Sequence, residues 1–129
     1  DGGWRLVPDP AASFVGVDFA PEALEDIEEF KPRHEFYSLS PESPWHRLFL
    51  VRNRHAGGSD ELRGCVLSRR DAGGIEKIEL TTKSRWLETL GDVFHEHLVN
   101  YSRLERDELW NLVWKWHEEW KRERGGRIE

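Results

Sequence analysis

Hydrophobic positions along the chain change their period once. Up to about residue 80 they come in short clusters divided by turns, and from "TTKS" (81–84) onward they recur at helical spacing. "WRLV" (4–7) and "SFVGVDF" (13–19) are strand-like, with "PDPAA" as the turn between them. "PEALEDIEEF" (21–30) places Leu24, Ile27 and Phe30 at helical spacing behind Pro21 and a run of acids. It predicts a short helix that Pro32 ends. After the turn around Pro41 and Pro44, "HRLFLVR" (46–52) is apolar without alternation, as in a strand covered on both faces. "ELRGCVLSRR" (61–70) is its returning partner and "IEKIEL" (75–80) a third strand, giving a β-meander over about 46–80.

In the helical half, Trp86, Leu90, Val93, Phe94 and His97 fall on one stripe, widened by Leu87, Leu98 and Tyr101. Ser102 followed by Glu105 forms a capping box that opens a last helix. Its stripe is Leu109, Val113, Trp116 and Trp120, flanked by Trp110 and His117, and "KRERGG" supplies the cations and glycines that end it. The fold class expected is therefore α+β. An antiparallel sheet is joined by an N-terminal strand pair, a short helix and two C-terminal helices, all in one unit over 1–124 with a tail at 125–129.

Composition narrows the function more than the fold. The chain has 129 residues, net charge −6 and 34% charged residues. It lacks the positive field of a general nucleic-acid binder. No apolar run reaches the ~18–20 residues of a membrane span. One cysteine forms no internal disulfide, which fits a reducing compartment and a cytoplasmic location. There is no Met, and the chain opens on "DGGWRL", so it is expected to be part of a longer protein.

No complete catalytic constellation is visible. Cys65 lies inside the strand "LRGCVLSRR", a setting that suits a small buried hydrophobe better than a reactive thiolate. His95 and His97 are two apart, whereas two helical metal ligands on one face need a spacing of about four. His97 and His117 sit on apolar stripes as hydrogen-bonded core residues. No metal site is expected. The seven tryptophans are unusual, and four of them fall between Trp110 and Trp120.

The segments "WRLVPDPAASFVGVDF", "LEDIEE", "SLSPESPWHRLFLVRN", "LRGCVLSRR" and "LGDVF", in that order, resemble the C-terminal part of arylamine N-acetyltransferases. The most specific piece is the Ser-x-x-Pro-x-Ser turn before an aromatic, Ser38 through Trp45. The resemblance implies the end of a β-barrel domain followed by an α/β lid. It also implies acetyl transfer from acetyl-CoA to an arylamine-type acceptor through a cysteine thioester. The family's nucleophile lies in an R-G-G-x-C pattern with a following His and Asp, all upstream of the region matched. Arg63-Gly64-Cys65 lacks the second glycine, so no catalytic residue is assigned here, and the chain depends on N-terminal catalytic domains. "FVGVDF" also departs from the Trp-containing barrel strand of many relatives. Trp45 and Ser43 are the expected substrate-binding residues. Arg47 and Arg69 are the expected contacts for the phosphates of acetyl-CoA, brought to one end of the sheet if 46–52 pairs with 61–70. The competing reading is a non-enzymatic α+β binding or assembly module whose Trp-rich helix is a docking face.

Overall fold

The computed structural model describes residues 2–8 and 14–125. Most of the expected turn "PDPAA", Ser13 at the start of the second expected strand, and the tail from 126 lie outside these. The elements in order are β1 (Trp4–Leu6), β2 (Val17–Phe19), α1 (Lys31–Leu39), β3 (Leu50–His55), β4 (Gly58–Arg63), β5 (Val66–Asp71), β6 (Gly74–Glu79), α2 (Lys83–Phe94) and α3 (Arg103–Glu123), with 3-10 turns at Ile27–Phe30 and Pro44–Arg47. The fold is α+β, with a two-stranded and a four-stranded antiparallel sheet. The chain divides into two compact units, one up to Leu48 and one from Phe49 onward.

In the first unit β1 and β2 pair with Trp4 opposite Phe19 and Leu6 opposite Val17. The alternation of a strand puts those four on one face, while Arg5 and Asp18 form an ion pair on the other. All four apolar residues are exposed. Residues 21–25 are not helical. Asp26 accepts a hydrogen bond from the Glu28 amide at 2.9 Å and caps the 3-10 turn that leads into α1. Pro32, expected to end a helix, stands in the first turn of α1 instead. Its missing N–H costs nothing there, because the first amides of a helix have no partner inside it.

The second unit holds the hydrophobic core. Its sheet is a meander in the order β3-β4-β5-β6. It has four strands where three were expected, because "ELRGCVLSRR" folds back on itself at Gly64–Cys65 and the loop before it shrinks to Ala56–Gly57. Gly64 adopts a left-handed φ of 58°, which explains the turn: a glycine inside a strand-like run marks a break in the ladder. Gly58 is equally constrained, since a Cβ there would meet the Arg70 carbonyl oxygen.

Val51, Leu62, Leu67 and Ile78 stand opposite one another in register and form one apolar row across the sheet. Arg52, Glu61, Ser68 and Lys77 form the neighbouring row on the opposite face. β3 is therefore apolar on one face, and of the non-alternating residues 48–51 in the expected strand 46–52 the first two, Leu48 and Phe49, lie before it. On the apolar row pack Trp86 and Leu90 of α2, Leu98 of the connection and Val113 of α3.

α2 ends at Phe94, with His95 in a left-handed conformation as its C-cap. His97, expected in the core, lies beyond the helix end and is exposed, while Leu98 takes the buried position. α3 opens on the expected capping box of Ser102 and Glu105. Its buried stripe is rotated from the expected one. Val113 and His117 are buried and Leu109, Trp110 and Trp114 pack on the core, whereas Trp116 and Trp120 are half-buried. His117 bonds to Glu79 across the unit, and this polar anchor turns the Trp110–Trp114 flank inward.

The packing separates two tryptophans that look alike in sequence. Trp86 is fully buried and its indole N–H donates to the Gly64 carbonyl at 2.9 Å. Trp86→Ala is expected to cost about 3–5 kcal/mol in urea unfolding. Trp116→Ala, on the half-buried flank, is expected to cost less than about 2 kcal/mol.

Candidate functional site

The candidate site is built on the hook between α1 and β3. The Ser40 amide bonds to the Phe36 carbonyl where α1 ends, and the Ser43 amide bonds back to the Ser40 carbonyl at 2.9 Å. Ser43 then caps the 3-10 turn Pro44–Arg47, its Oγ accepting from the Trp45 amide at 3.3 Å and donating to the Tyr37 carbonyl at 2.8 Å. Pro44 at the first position of that turn fixes φ where no amide donor is needed. Trp45, the residue before the expected strand 46–52, lies in this turn with its side chain about half exposed. The Tyr37 ring meets it edge-on at 6.1 Å between centroids, and Phe36 meets Tyr37 at 5.4 Å. Arg33 lies over the Tyr37 ring at 5.7 Å. His46 bonds to the Ser38 carbonyl at 3.1 Å and ties the turn back to the helix.

Sequence spacing placed Trp45 and Ser43 together but missed Tyr37. The signal available was Tyr37's place one helical residue before the Ser-Pro turn, which gains meaning only once the chain doubles back. The arrangement gives an exposed pair of aromatic rings on a rigid turn, a shape suited to stacking with a planar ligand.

Arg47 is exposed in the same turn. Arg69 lies on β5, exposed, with its Nε 3.7 Å from Asp60, which also meets His55 at 3.4 Å. In register Arg69 stands level with Asp60, Asn53 and Glu76, away from the sheet end at Leu50. The pairing expected to gather Arg47 and Arg69 at one end is replaced, because β4 intervenes between β3 and β5.

Cys65 is not mid-strand: it occupies the β4–β5 turn and is completely buried. Desolvation, then the charges of Glu79 and Glu118, push its thiol up to about 12. The nearby His117 is buried as a hydrogen-bonded core residue, as expected, with Nε2 2.7 Å from the Glu79 carboxylate. Lys121 donates to the same oxygen at 2.8 Å. These hydrogen bonds, His117's first, hold Glu79 below the ordinary carboxylate range, and Glu79 in turn raises Lys121. Among the described residues no hydrogen bond joins Cys65 to a histidine. A neutral buried thiol beside two acids is not a nucleophile at neutral pH. Glu79, His117 and Lys121 were not legible as a group, because Glu79 lies about forty residues from the other two and meets them only through the packing of α3 on β6. No group of three or more His, Cys, Asp or Glu among the described residues is arranged to hold a metal ion, and none of the described helices is long and apolar enough to cross a membrane.

No family model and no curated protein matches the chain. Solved structures do. The arylamine N-acetyltransferase of Mycobacterium tuberculosis is similar with a TM-score of 0.62 and 20% identity, over 79% of this chain and 37% of that one. The arylamine N-acetyltransferase of Mycobacterium marinum is similar with a TM-score of 0.59 and 21% identity, over 77% of this chain and 35% of that one. The likeness is one of fold and agrees with the resemblance read from the sequence. The chain spans little more than a third of the length of these structures.

Two measurements check the electrostatics. Cys65 is expected to resist Ellman's reagent in the native protein and to react stoichiometrically once unfolded. Because its folded pKa lies above the unfolded one, its contribution is complete below about pH 8.5 and declines above it by up to about 1.4 kcal/mol per pH unit. Cys65→Ala should remove that slope from urea unfolding measured at several pH values. Glu79 has the opposite sign: its folded pKa is depressed, so its contribution is present above the unfolded value of about 4.3 and is lost as pH falls through the folded one. Glu79→Gln should flatten this part of the acid dependence.

Proposed function

We propose that the chain is the C-terminal part of an acetyltransferase that moves an acetyl group from acetyl-CoA to an arylamine-type acceptor, with the catalytic Cys, His and Asp supplied by domains upstream. The observation that carries this reading is the fold likeness, in which most of this chain corresponds to about a third of an arylamine N-acetyltransferase. A second observation supports it. The first unit leaves Trp4, Leu6, Val17 and Phe19 exposed on one face of its strand pair, the kind of apolar face that another domain covers. Upstream domains of the same protein would cover it.

In this reading the upstream thiolate attacks the acetyl carbonyl, forms a thioester and releases coenzyme A. The acceptor amine then attacks the thioester and restores the thiol. This chain supplies the wall of the cleft. Trp45 stacks on the aromatic acceptor and excludes water from it. Arg47 and Arg69 each meet phosphates of acetyl-CoA, for which a guanidinium has paired donors. The compartment that fits this chemistry is the cytoplasm. The alternative of a docking module built on the Trp-rich helix has less surface to offer, since Trp110 and Trp114 pack on the core and only Trp116 and Trp120 of the cluster remain for a partner.

Residues 1–129 alone are expected to release no coenzyme A from acetyl-CoA. A burst stoichiometric with protein and abolished by Cys65→Ser would overturn the assignment of Cys65 as structural. In the protein carrying its upstream domains, Trp45→Ala should lower kcat/KM for aromatic amines by about tenfold. Arg47→Glu and Arg69→Glu, made singly, should each raise KM for acetyl-CoA several-fold with little effect on unfolding. An unchanged KM removes that residue from the site.

A further inference from the structure

Among the described residues up to Leu48 one side chain is buried, and it is polar: Ser43, 4% exposed. A serine hydroxyl has one proton to give. Here that proton is committed to the Tyr37 carbonyl, and a lone pair of the same oxygen receives the Trp45 amide. Ser43 therefore grips the backbones of two aromatic residues at once, one at the end of a helix and one in the next turn. The two rings that depend on it meet edge to face at an interplanar angle of 74° and are both exposed. A buried hydroxyl with its proton already used is poorly placed to donate to a ligand. It is well placed to decide where Trp45 points.

We infer that Ser43 is a positioning residue for Trp45, and that the Tyr37 and Trp45 rings, at 74° to each other, form a corner in which the ring of an aromatic amine stacks on one and meets the other edge to face. The ligand class rests on the acetyltransferase reading above; the positioning role does not. Removing the hydroxyl frees the Tyr37 carbonyl and the Trp45 amide to seek water, and the edge-to-face contact loses the geometry that defines it. Tyr37 sets the tilt of the platform through its ring edge, so a change there alters the fit of a stacked ligand without disturbing Ser43.

The two halves are tested together on the 129-residue protein labelled with 5-fluorotryptophan. Each of its seven tryptophans contributes one fluorine resonance, and that of Trp45 is assigned by its loss in Trp45→Phe. Titration of the wild type with 4-methoxyaniline is expected to move the Trp45 resonance. Ser43→Ala is expected to move and broaden that resonance without ligand and to weaken 4-methoxyaniline about fivefold, and Ser43→Thr, which keeps the hydroxyl, to restore both. Tyr37→Leu should weaken binding to a similar degree with the bonds of Ser43 intact. A Trp45 resonance unmoved by Ser43→Ala in a folded protein overturns the positioning role. Unchanged affinity in Tyr37→Leu overturns the paired surface, and this variant carries the test if Ser43→Ala unfolds the first unit. If Ser43→Ala moves Trp45 while 4-methoxyaniline moves no tryptophan in the wild type, the positioning role stands and the acceptor reading fails.

Discussion

The second unit is organised around one hydrogen bond, from the indole of Trp86 to the carbonyl of Gly64. The donor is in the first half of α2 and the acceptor is in the turn that splits the sheet into its central hairpin. A buried indole N–H without a partner is costly, so the bond is a constraint as well as a contribution. With it made, the Trp86 ring lies against Phe49 at 4.9 Å and Trp110 at 5.8 Å. Through those two contacts the sheet entry, α2 and α3 share one core. The ladder of rings continues through Trp114, His117 and Trp120, so the orientation of α3 is set over several turns by side chains in mutual contact. Lys83 adds an ion pair to Asp107 that joins the starts of α2 and α3.

The first unit has no comparable centre. What it has is local: an Asp cap at 26, the Arg5–Asp18 pair and the Ser43 junction. An exposed ion pair contributes little, and a two-stranded ribbon is marginal in water without something on its apolar face. The order of this unit is therefore concentrated where backbone groups are bonded by buried or capping side chains. That is the hook carrying Trp45.

What was legible in the sequence follows the range of the interaction that decides each feature. The capping box at Ser102, the period of α2 as far as Phe94 and the strand of Ile78 depend on neighbours a few residues away, and they stand where the pattern put them. Features decided by competition between two local signals were misread. Pro32 reads as a terminator or as a first-turn residue depending on which side of it the helix lies. Gly64 reads as a weak strand residue or as a turn depending on whether the strand must reverse. The rotation of α3 was not legible at all. Trp116 and Trp110 are equally apolar, and the choice between them is made by the distant carboxylate of Glu79, which His117 must reach. For the site, the Ser-Pro turn and its Trp were visible as a motif. The partnership with Tyr37 required the chain to double back, which spacing does not show.

Cys65 shows why residue types alone do not make a catalytic centre. The turn that carries it is bonded to the residue after Glu79, since the Leu80 amide donates to the Cys65 carbonyl at 2.8 Å. Glu79 in turn holds His117, so a thiol, an imidazole and a carboxylate occupy one corner of the unit. The order of the interactions is wrong for nucleophilic catalysis. A working array has the imidazole facing the thiol with the carboxylate behind it, so that the thiolate is stabilised by the positive charge that forms. Here the imidazole is bonded to the carboxylate, Lys121 shares that oxygen, and the thiol is left with low polarity and negative charge. Each of these favours the neutral thiol, and burial denies a substrate access to the sulfur. Glu79, His117 and Lys121 thus close α3 onto β6, and Cys65 packs in the same unit as a neutral thiol.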